Sequence, residues 1–287
     1  MTVILHTSKT LKVYKSKKLN KSGLTDYTLN DYQVFLLLIT KLGKVDELGK
    51  YLQPEVLERN HTVTAKEFSK AFNVDLSYSY RVLQGAAKKL AEKALTIEDD
   101  ITIQHIPVCA IAKYHKKSGN LTIEFNQHIM AHLAQVQRNF VVYNLKEIAN
   151  FGSLYTTRLY ELIQQFADTG EFKQSIEQLR KVFDVGARYK TYGDFKRFTF
   201  AHAVDEINSN YETELKFIEL NALDNPAKIR QKVTAIRFEF KRTFTRRAVN
   251  PQTGKERNIY IKPKRKNKDD NNPPPPRVHA DQQELPN

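Results

Sequence analysis

Hydroxyl, amide and basic side chains recur at helical spacing in two stretches of this chain, where they could donate hydrogen bonds to DNA. The first stretch is residues 76–93, and its candidates are Ser77, Ser79, Arg81, Gln84 and Lys88. The second is residues 192–207 with the two residues before it, and its candidates are Lys190, Thr191, Lys196, Arg197 and Thr199. Arginine and glutamine suit base edges in the major groove, whereas lysine, serine and threonine more often bind phosphates.

An inner apolar face must hold each of these helices against the rest of the protein. Tyr80 and Leu83 belong to that face in the first helix, and Phe195 and Phe198 provide apolar surface in the second. The competing interpretation is that both polar faces are ordinary solvated helix surfaces.

Each stretch is preceded by a copy of one short sequence, found at residues 63–74 and again at residues 174–185. The matched pairs are Phe68 with Leu179, Lys70 with Lys181, Phe72 with Phe183 and Val74 with Val185. Thr64 and Ser175 can each cap a short amphipathic helix that follows. A short helix, a turn and a longer basic helix form a helix-turn-helix, and its duplication in a basic chain points to DNA.

Strand-like segments follow both helices and predict a wing for each helix-turn-helix. The first set covers residues 95–103, 106–115 and 121–125, and the second covers residues 214–220 and 233–240. Basic residues at the predicted wing tips would lie along phosphates or the minor groove, although lysines at hairpin tips are common. They are Lys116, Lys117, Lys228, Arg230 and Lys232.

The chain is therefore predicted to be an α+β protein with two tandem winged-helix domains related by pseudo-symmetry, plus a disordered basic C-terminal tail. The predicted parts are a flexible basic arm (residues 1–24), a first domain (25–138), a second domain (139–245) and the tail (246–287). Residues 139–144 would set the relative orientation of the domains. The tail is rich in lysine, arginine and proline and has too little apolar surface to fold. Three interpretations remain for it: a nonspecific DNA tether, a partner-binding segment or a solubilising end.

Composition narrows the partners and the compartment. The 287 residues carry a formal net charge of +14, which favours an anionic partner. Cys109 is the only cysteine, so no disulfide can form within the chain and a reducing compartment fits. No apolar run approaches the roughly 20 residues of a membrane span. We expect a cytoplasmic protein with no membrane partner.

Enzymatic chemistry has little support in the sequence. His128 and His132 have a spacing that could bind a metal, but no cysteine or carboxylate cluster completes a site. No phosphate-binding Gly-x-x-x-x-Gly-Lys-Ser/Thr loop occurs. The His-x-His metal pair of tyrosine nucleases that cut DNA is also missing. We therefore predict no enzyme activity, no metal and no cofactor.

Several blocks resemble the winged-helix replication initiators of iteron-containing bacterial plasmids. The blocks are residues 80–83, 153–162, 192–197, 203–208 and 232–240. One departure is at the second wing, where that family leads us to expect a Gly-Arg pair and this chain reads Lys228-Ile229-Arg230. In the second block, Arg158 could reach DNA or pair with an acidic residue such as Glu161 or Glu206, and pairing is favoured.

The resemblance implies a non-enzymatic initiator that binds repeated double-stranded DNA elements, the iterons, as a monomer. It implies a location in the bacterial cytoplasm, in association with plasmid or nucleoid DNA. It also implies recruitment of the host initiator and replicative helicase, and a dimer that represses its own promoter. The dimer contacts would lie mainly in the first domain, and residues 139–144 would switch the protein between the DNA-binding monomer and the dimer. Two alternatives remain from the sequence: a winged-helix transcriptional regulator with no replication role, and a relaxase or nuclease.

Overall fold

A computed structural model describes residues 11–24, 26–42, 53–98, 101–133, 140–211, 213–241, 245–249 and 256–260. Within them, one arrangement of a strand, a short helix, a longer helix and a hairpin occurs twice in succession. The buried apolar residues of both copies belong to a single hydrophobic core. The fold is that of two tandem winged helices, as predicted.

The first copy and the elements around it run from residue 12 to residue 147. They are β1 Lys12–Ser16, α1 Lys17–Asn20, β2 Gly23–Leu24, α2 Leu29–Ile39, a 3-10 turn Pro54–Val56, β3 Asn60–Val63, α3 Ala65–Phe72, α4 Leu76–Glu92, β4 Ala94–Glu98, β5 Ile103–Pro107, β6 Cys109–His115, β7 Asn120–Phe125, α5 Gln127–Leu133, β8 Phe140–Asn144 and a 3-10 turn Leu145–Glu147. Strands β3, β7 and β6 form the antiparallel sheet that carries the first wing.

The second copy follows with the same order of elements. They are α6 Leu154–Gln165, β9 Glu171–Ser175, α7 Ile176–Val182, α8 Tyr192–Lys196, a π-helical segment Arg197–Ala201, α9 His202–Asn210, β10 Lys216–Leu220 and β11 Ala235–Glu239. Strand β11 pairs with both β10 and β9, so this sheet has the order β10-β11-β9. Strand β9 before α7 therefore corresponds to β3 before α3.

The duplicated sequence folds the same way at the start of both short helices. The Thr64 hydroxyl accepts the backbone amide of Glu67, and the Glu67 carboxylate accepts that of Thr64, which is a complete capping box. The Ser175 hydroxyl accepts the amide of Gln178 in the same way. Both predicted caps are confirmed, and each satisfies an amide that the first helical turn leaves without a partner.

Both short helices also end alike, at residues that correspond in the two copies of the repeated sequence. Asn73 and Asp184 adopt left-handed conformations with φ of 52° and 49°. In each copy the next backbone amide donates to the carbonyl five residues earlier at 3.2 Å, the geometry of a Schellman turn. The turn that sets the angle between the two helices is thus built from the same bond twice.

The predicted bounds of the first set of strands are wrong, because these residues form four strands and not three. Residues 94–98 and 103–107 form β4 and β5, an antiparallel hairpin that pairs Ala94 with Pro107. Strand β4 also pairs with β2. The first wing proper is the next hairpin, β6 and β7, with a bulge between Cys109 and Ile111. The alternating pattern across these residues does not reveal that Val108 separates two different sheets.

The flexible N-terminal arm is wrong for residues 12–24, and residues 1–10 lie outside the described residues. Strand β1 pairs along its length with β8, from Lys12 opposite Asn144 to Ser16 opposite Phe140. Four of the five residues of β1 are buried, including Lys15. Residues 140–144 are consequently a paired strand, not the orienting linker that the sequence suggested.

A buried network of charged groups joins this N-terminal strand to helix α6. The ammonium of Lys15 lies 2.5 Å from Glu161 Oε1, and the Arg158 guanidinium lies 3.0 Å from Glu161 Oε2. The hydroxyls of Tyr32 and Tyr143 donate to the same carboxylate. All these side chains are almost fully buried. The prediction that Arg158 serves in structural pairing is confirmed.

Arg158 also links the two copies of the fold. Its remaining N–H groups donate to the carbonyls of Asn20 and Ser22 at 2.9 and 2.7 Å, and to the carbonyl of Val182 at the end of α7 at 3.3 Å. One guanidinium thus contacts the start of the chain, its own helix and the short helix of the second copy. Surface contacts between the copies include Lys181 with Glu98 at 2.7 Å.

Beyond β11 the structure describes two strands, β12 Thr245–Val249 and β13 Glu256–Tyr260, which pair as a hairpin. The segment predicted as a disordered tail therefore contains at least this regular element. Its remaining residues lie outside the described part of the chain.

Candidate nucleic-acid interface

Helix α4 carries a polar strip on its exposed face. Ser77, Arg81, Gln84 and Lys88 are all exposed, at spacings of four, three and four residues. The opposite face buries apolar residues, and Leu83 and Leu90 are among those with no exposure. The strip therefore has the direction and the donors that a helix needs to enter a major groove.

Ser79 does not belong to this strip, and its prediction as a DNA-binding residue is wrong. Its side chain is fully buried, and its hydroxyl donates to the carbonyl of Asp75 at 2.8 Å. A serine two positions from Ser77 and from Arg81 points to another side of the helix, as helical geometry requires.

The amino end of α4 is fixed by Asp75, whose carboxylate accepts the backbone amides of Ser77 and Tyr78. Hydrogen bonds from the Ser77 hydroxyl and from these amides lower the pKa of Asp75. Arg81 lies over the Tyr78 ring, with the guanidinium carbon 5.6 Å from the ring centre. The aromatic ring thus restricts the directions that this exposed arginine can take.

The first wing is anchored to the same helix through Tyr80. Gly119, in the turn after Lys116 and Lys117, has a φ of +68°. A Cβ on Gly119 would lie 2.0 Å from Cε1 of Tyr80, so the ring is packed directly on the turn. Tyr80 was expected on the inner face of α4, but it is partly exposed and positions the wing. Both lysines at the tip are exposed.

The second candidate helix is α8, the π segment and α9 in continuous succession. Thr191 caps its start, because its hydroxyl accepts the amide of Asp194 at 3.1 Å. Lys190, just before the cap, is exposed. The turn leading to it is held by Arg180, which donates to the carbonyls of Arg188 and Tyr189.

Two basic residues follow on this helix, and their side chains differ in exposure and in ion pairing. Lys196 lies 3.1 Å from Glu219 of β10, which also accepts the Tyr192 hydroxyl. Burial, reinforced by that carboxylate, raises the pKa of Tyr192, so its hydroxyl stays protonated. Arg197 has 69% of its side chain exposed and contacts Asp194 at 3.4 Å. Arg197 is therefore the more available of the two for a base edge.

The π segment changes which residues face outward. Its wider turn, with hydrogen bonds from i to i+5, brings the residue five positions after Phe195 to the inner face. Phe200 is accordingly buried, while Phe198 has 46% of its surface exposed. The regular helix that the sequence predicted would have left Phe198 on the inner side, so that expectation is wrong.

Thr199 lies within the same segment, and its prediction as a DNA-binding residue is also wrong. The side chain is fully buried. Its hydroxyl donates to the carbonyl of Phe195 at 2.5 Å, which supports the backbone where the helix widens.

The second wing ends in a hydrogen-bonded turn with basic side chains. The amide of Gln231 donates to the carbonyl of Lys228 at 3.0 Å, and the Gln231 side chain accepts the amide of Lys228 at 2.9 Å. Arg230 has a φ of +67°, a conformation that favours glycine at this place in a turn. Lys228, Arg230 and Lys232 are all exposed.

The described residues show no sign of a metal site or a membrane span. No group of three or more histidine, cysteine, aspartate or glutamate side chains lies close enough there to hold a metal ion. His132 contacts the Ser16 hydroxyl at 3.0 Å. In these segments, every helix also falls short of the length and apolarity that a membrane crossing requires.

Comparison with known families finds two adjacent matches. A family described as "Initiator Replication protein, WH1" matches residues 12–164, and one described as "Initiator Rep protein, WH2" matches residues 175–240. A curated replication initiation protein of Escherichia coli is 24% identical over 164 residues. That match covers 56% of this chain and spans about half the length (50%) of the relative.

A solved structure has a similar fold. It is the crystal structure of the Pi initiator protein in complex with iteron DNA, with a TM-score of 0.63 and 19% sequence identity. The similarity covers 81% of this chain and 98% of the other.

Proposed function

Because the chain belongs to the initiator replication protein family, whose two winged-helix models match it in succession, we propose that it initiates plasmid replication by binding iterons at an origin. The observation that carries this proposal is the duplicated helix-turn-helix, in which both longer helices present exposed donors. The solved relative of the same fold was crystallised with iteron DNA, which supports the same substrate here. Family membership favours this role over that of a transcriptional regulator with no part in replication.

The two helices would bind successive major grooves on one face of a single repeat. Such grooves lie about 10 base pairs apart along the duplex. Two modules in one chain raise each other's effective concentration, so moderate individual affinities combine into a strong one. The buried Arg158 network, which contacts both copies, would hold the helices at the spacing that a repeat requires.

Exposure and chemistry divide the candidate residues into two groups. Arg81, Gln84 and Arg197 are proposed as base readers, because their side chains can make paired hydrogen bonds to purines. The other candidates that reach the surface, all of them exposed except the half-buried Lys196, are proposed to contact phosphates or the minor groove. They are Ser77, Lys88, Lys116, Lys117, Lys190, Thr191, Lys196, Lys228, Arg230 and Lys232.

The division into two DNA-binding domains is part of the proposal. The sequence placed the boundary between residues 138 and 139. Because β8 pairs with β1, and α6 packs against α9 and precedes β9 as α2 precedes β3, we propose that the boundary lies between β8 and α6. The proposed role of any basic segment after β11 is to raise affinity without adding sequence preference.

We further propose that the protein acts without catalysis, metal or cofactor, in the bacterial cytoplasm and on plasmid DNA. Origin opening would depend on binding energy and on recruitment of the host initiator and replicative helicase. A dimer that represses the gene's own promoter is proposed on the family resemblance alone.

Binding and plasmid maintenance test the proposal together. The full chain should bind the repeats upstream of its own gene, and the gene with those repeats should maintain a plasmid that lacks another origin. Arg197→Ala should weaken repeat binding by about 1–3 kcal/mol and abolish or reduce maintenance.

Arg59→Ala is the matched control. Arg59 pairs with Glu124 at the end of the first wing's sheet that is farthest from the tip. Its loss should change repeat affinity by less than about 0.5 kcal/mol. Repeat binding that supports no plasmid maintenance would refute the replication role, and affinity no higher for the repeats than for random DNA would refute the substrate.

A further inference from the structure

The exposed ring of Phe198 occupies an unexpected place on the second candidate helix. It is next to Arg197 in the sequence, and together they form part of the surface proposed to face DNA. Phenylalanine is usually buried, and here almost half of its surface is exposed. The inner positions around it are filled, because Phe195 and Phe200 have no exposure.

Neighbouring side chains hold this ring in one orientation. The Tyr189 ring stacks on it, with centroids 5.4 Å apart and an interplanar angle of 23°. The Arg197 guanidinium carbon lies 4.3 Å from the ring centre on Phe198. Tyr189 is fixed in turn, because its carbonyl accepts a hydrogen bond from Arg180 at 2.6 Å. The Phe198 ring is therefore ordered, and its exposed part is an apolar contact surface between the side chains of Tyr189 and Arg197.

Only one group on the base edges of a major groove matches such a surface. The edges display hydrogen-bond donors and acceptors, and the C5 methyl group of thymine is their one apolar feature. We propose that Phe198 contacts a thymine methyl group beside the base that Arg197 reads, and so determines one position of the repeat. This inference rests on the proposed function, and it adds the identity of a base to it.

Self-association is the other use that an exposed ring could have. A single ring flanked by a guanidinium is much smaller than the apolar patches of a few hundred Å² that mark protein interfaces. The basic residues around it, Lys190 and Arg197, would repel the same surface on a second copy. An anionic duplex is complementary to this surface in both charge and shape.

Deoxyuridine substitution provides the test, because it removes only the methyl group of thymine and leaves base pairing intact. Each thymine of a repeat is replaced in turn, and the affinity of the full chain is measured by fluorescence anisotropy. One position should weaken wild-type binding about three- to fivefold, the factor expected for one buried methyl group. Phe198→Ala should lose a similar factor on normal DNA and be insensitive to deoxyuridine at that position. Phe198→Leu, which keeps an apolar side chain, should retain part of the sensitivity.

Three results would overturn the inference. The first is that no single deoxyuridine weakens wild-type binding, which needs no variant to observe. The second is that Phe198→Ala and deoxyuridine have additive effects at every thymine. The third is that Phe198→Ala changes sedimentation of the protein alone but leaves repeat affinity unaltered. If wild type does not prefer the repeat to random DNA at all, the proposed function fails instead.

Discussion

Replacing Glu161 with glutamine should remove the negative charge that neutralises the buried network between β1 and α6. Burial favours the neutral acid, but the charges of Lys15 and Arg158 and the hydrogen bonds to the carboxylate hold the pKa of Glu161 below its ordinary value. The carboxylate accepts hydrogen bonds from four side chains, so it is ionised and connects the whole network. In Glu161→Gln, Arg158 would be a buried cation with only an amide oxygen as its partner, Lys15 would have to lose its proton, and the amide NH₂ would face donors.

Breaking a buried ion pair by removing one partner typically costs about 3–5 kcal/mol. That is a large part of the roughly 5–15 kcal/mol by which a folded protein is stable. At about 2–4 °C per kcal/mol for a domain of this size, the melting temperature should fall by roughly 6–20 °C. The chain has no tryptophan, so circular dichroism at 222 nm during urea and thermal unfolding is the suitable measurement.

Glu214→Gln is the matched control, because it makes the same change in an exposed ion pair. Lys241 and Glu214 lie 2.8 Å apart, with 54% and 71% of their side chains exposed. The free energy of unfolding of this variant should fall by less than about 1 kcal/mol. If Glu161→Gln were as stable as this control to within 1 kcal/mol, the network would not stabilise the fold as argued. The double variant Lys15→Met/Glu161→Gln should lose less stability than the sum of the single losses, because it also removes the buried amine that has lost its carboxylate partner.

Two further predictions concern Lys15 and Gly119. Burial lowers the pKa of Lys15 to about 7, against about 10.5 when unfolded, so between these values the unfolded chain binds more protons and stability rises with pH. From pH 7 to pH 9, the free energy of unfolding of the wild type, measured in urea, should rise by about 2 kcal/mol relative to that of Lys15→Met. Parallel pH profiles of the two proteins would contradict this. Gly119→Ala should lose about 1–2 kcal/mol of stability and weaken repeat binding, since it strains the backbone and displaces the Tyr80 ring. Gly85→Ala, where a methyl group meets nothing within 4 Å, should instead increase stability by roughly 0.5–1 kcal/mol. Equal effects of the two substitutions would refute the role of Tyr80.

The duplicated helix-turn-helix could be predicted from sequence because its information is local. Caps at Thr64 and Ser175 and the matched apolar residues of α3 and α7 depend on spacing within one turn or two. The same is true of the exposed strip on α4, where helical geometry alone relates Arg81, Gln84 and Lys88.

The rest depends on contacts between residues far apart in the chain. Lys15 reads as a solvated residue of an arm until β1 is seen to pair with β8 and to meet Glu161. Phe198 reads as an inner residue because nothing in the local pattern predicts that the helix widens at Arg197. Ser79 and Thr199 were assigned by residue type, and each bonds to a carbonyl of its own helix instead. For Ser79, its distance in sequence from Ser77 and Arg81 could have indicated this.

The central claim is that both longer helices of one chain lie in successive major grooves of one repeat. Site-directed cleavage tests it, with an iron chelate attached to Gly85→Cys or to Gly193→Cys, which are exposed positions on α4 and α8 with room for a side chain and are not among the proposed contacts. Cys109 is the only native cysteine and is buried, and burial raises the pKa of its thiol to about 12, so it should not react. On a duplex with a single repeat, the two conjugates should cut at positions about 10 base pairs apart on the same face. Cleavage of the repeat by only one conjugate, or by both at one position, would contradict the claim.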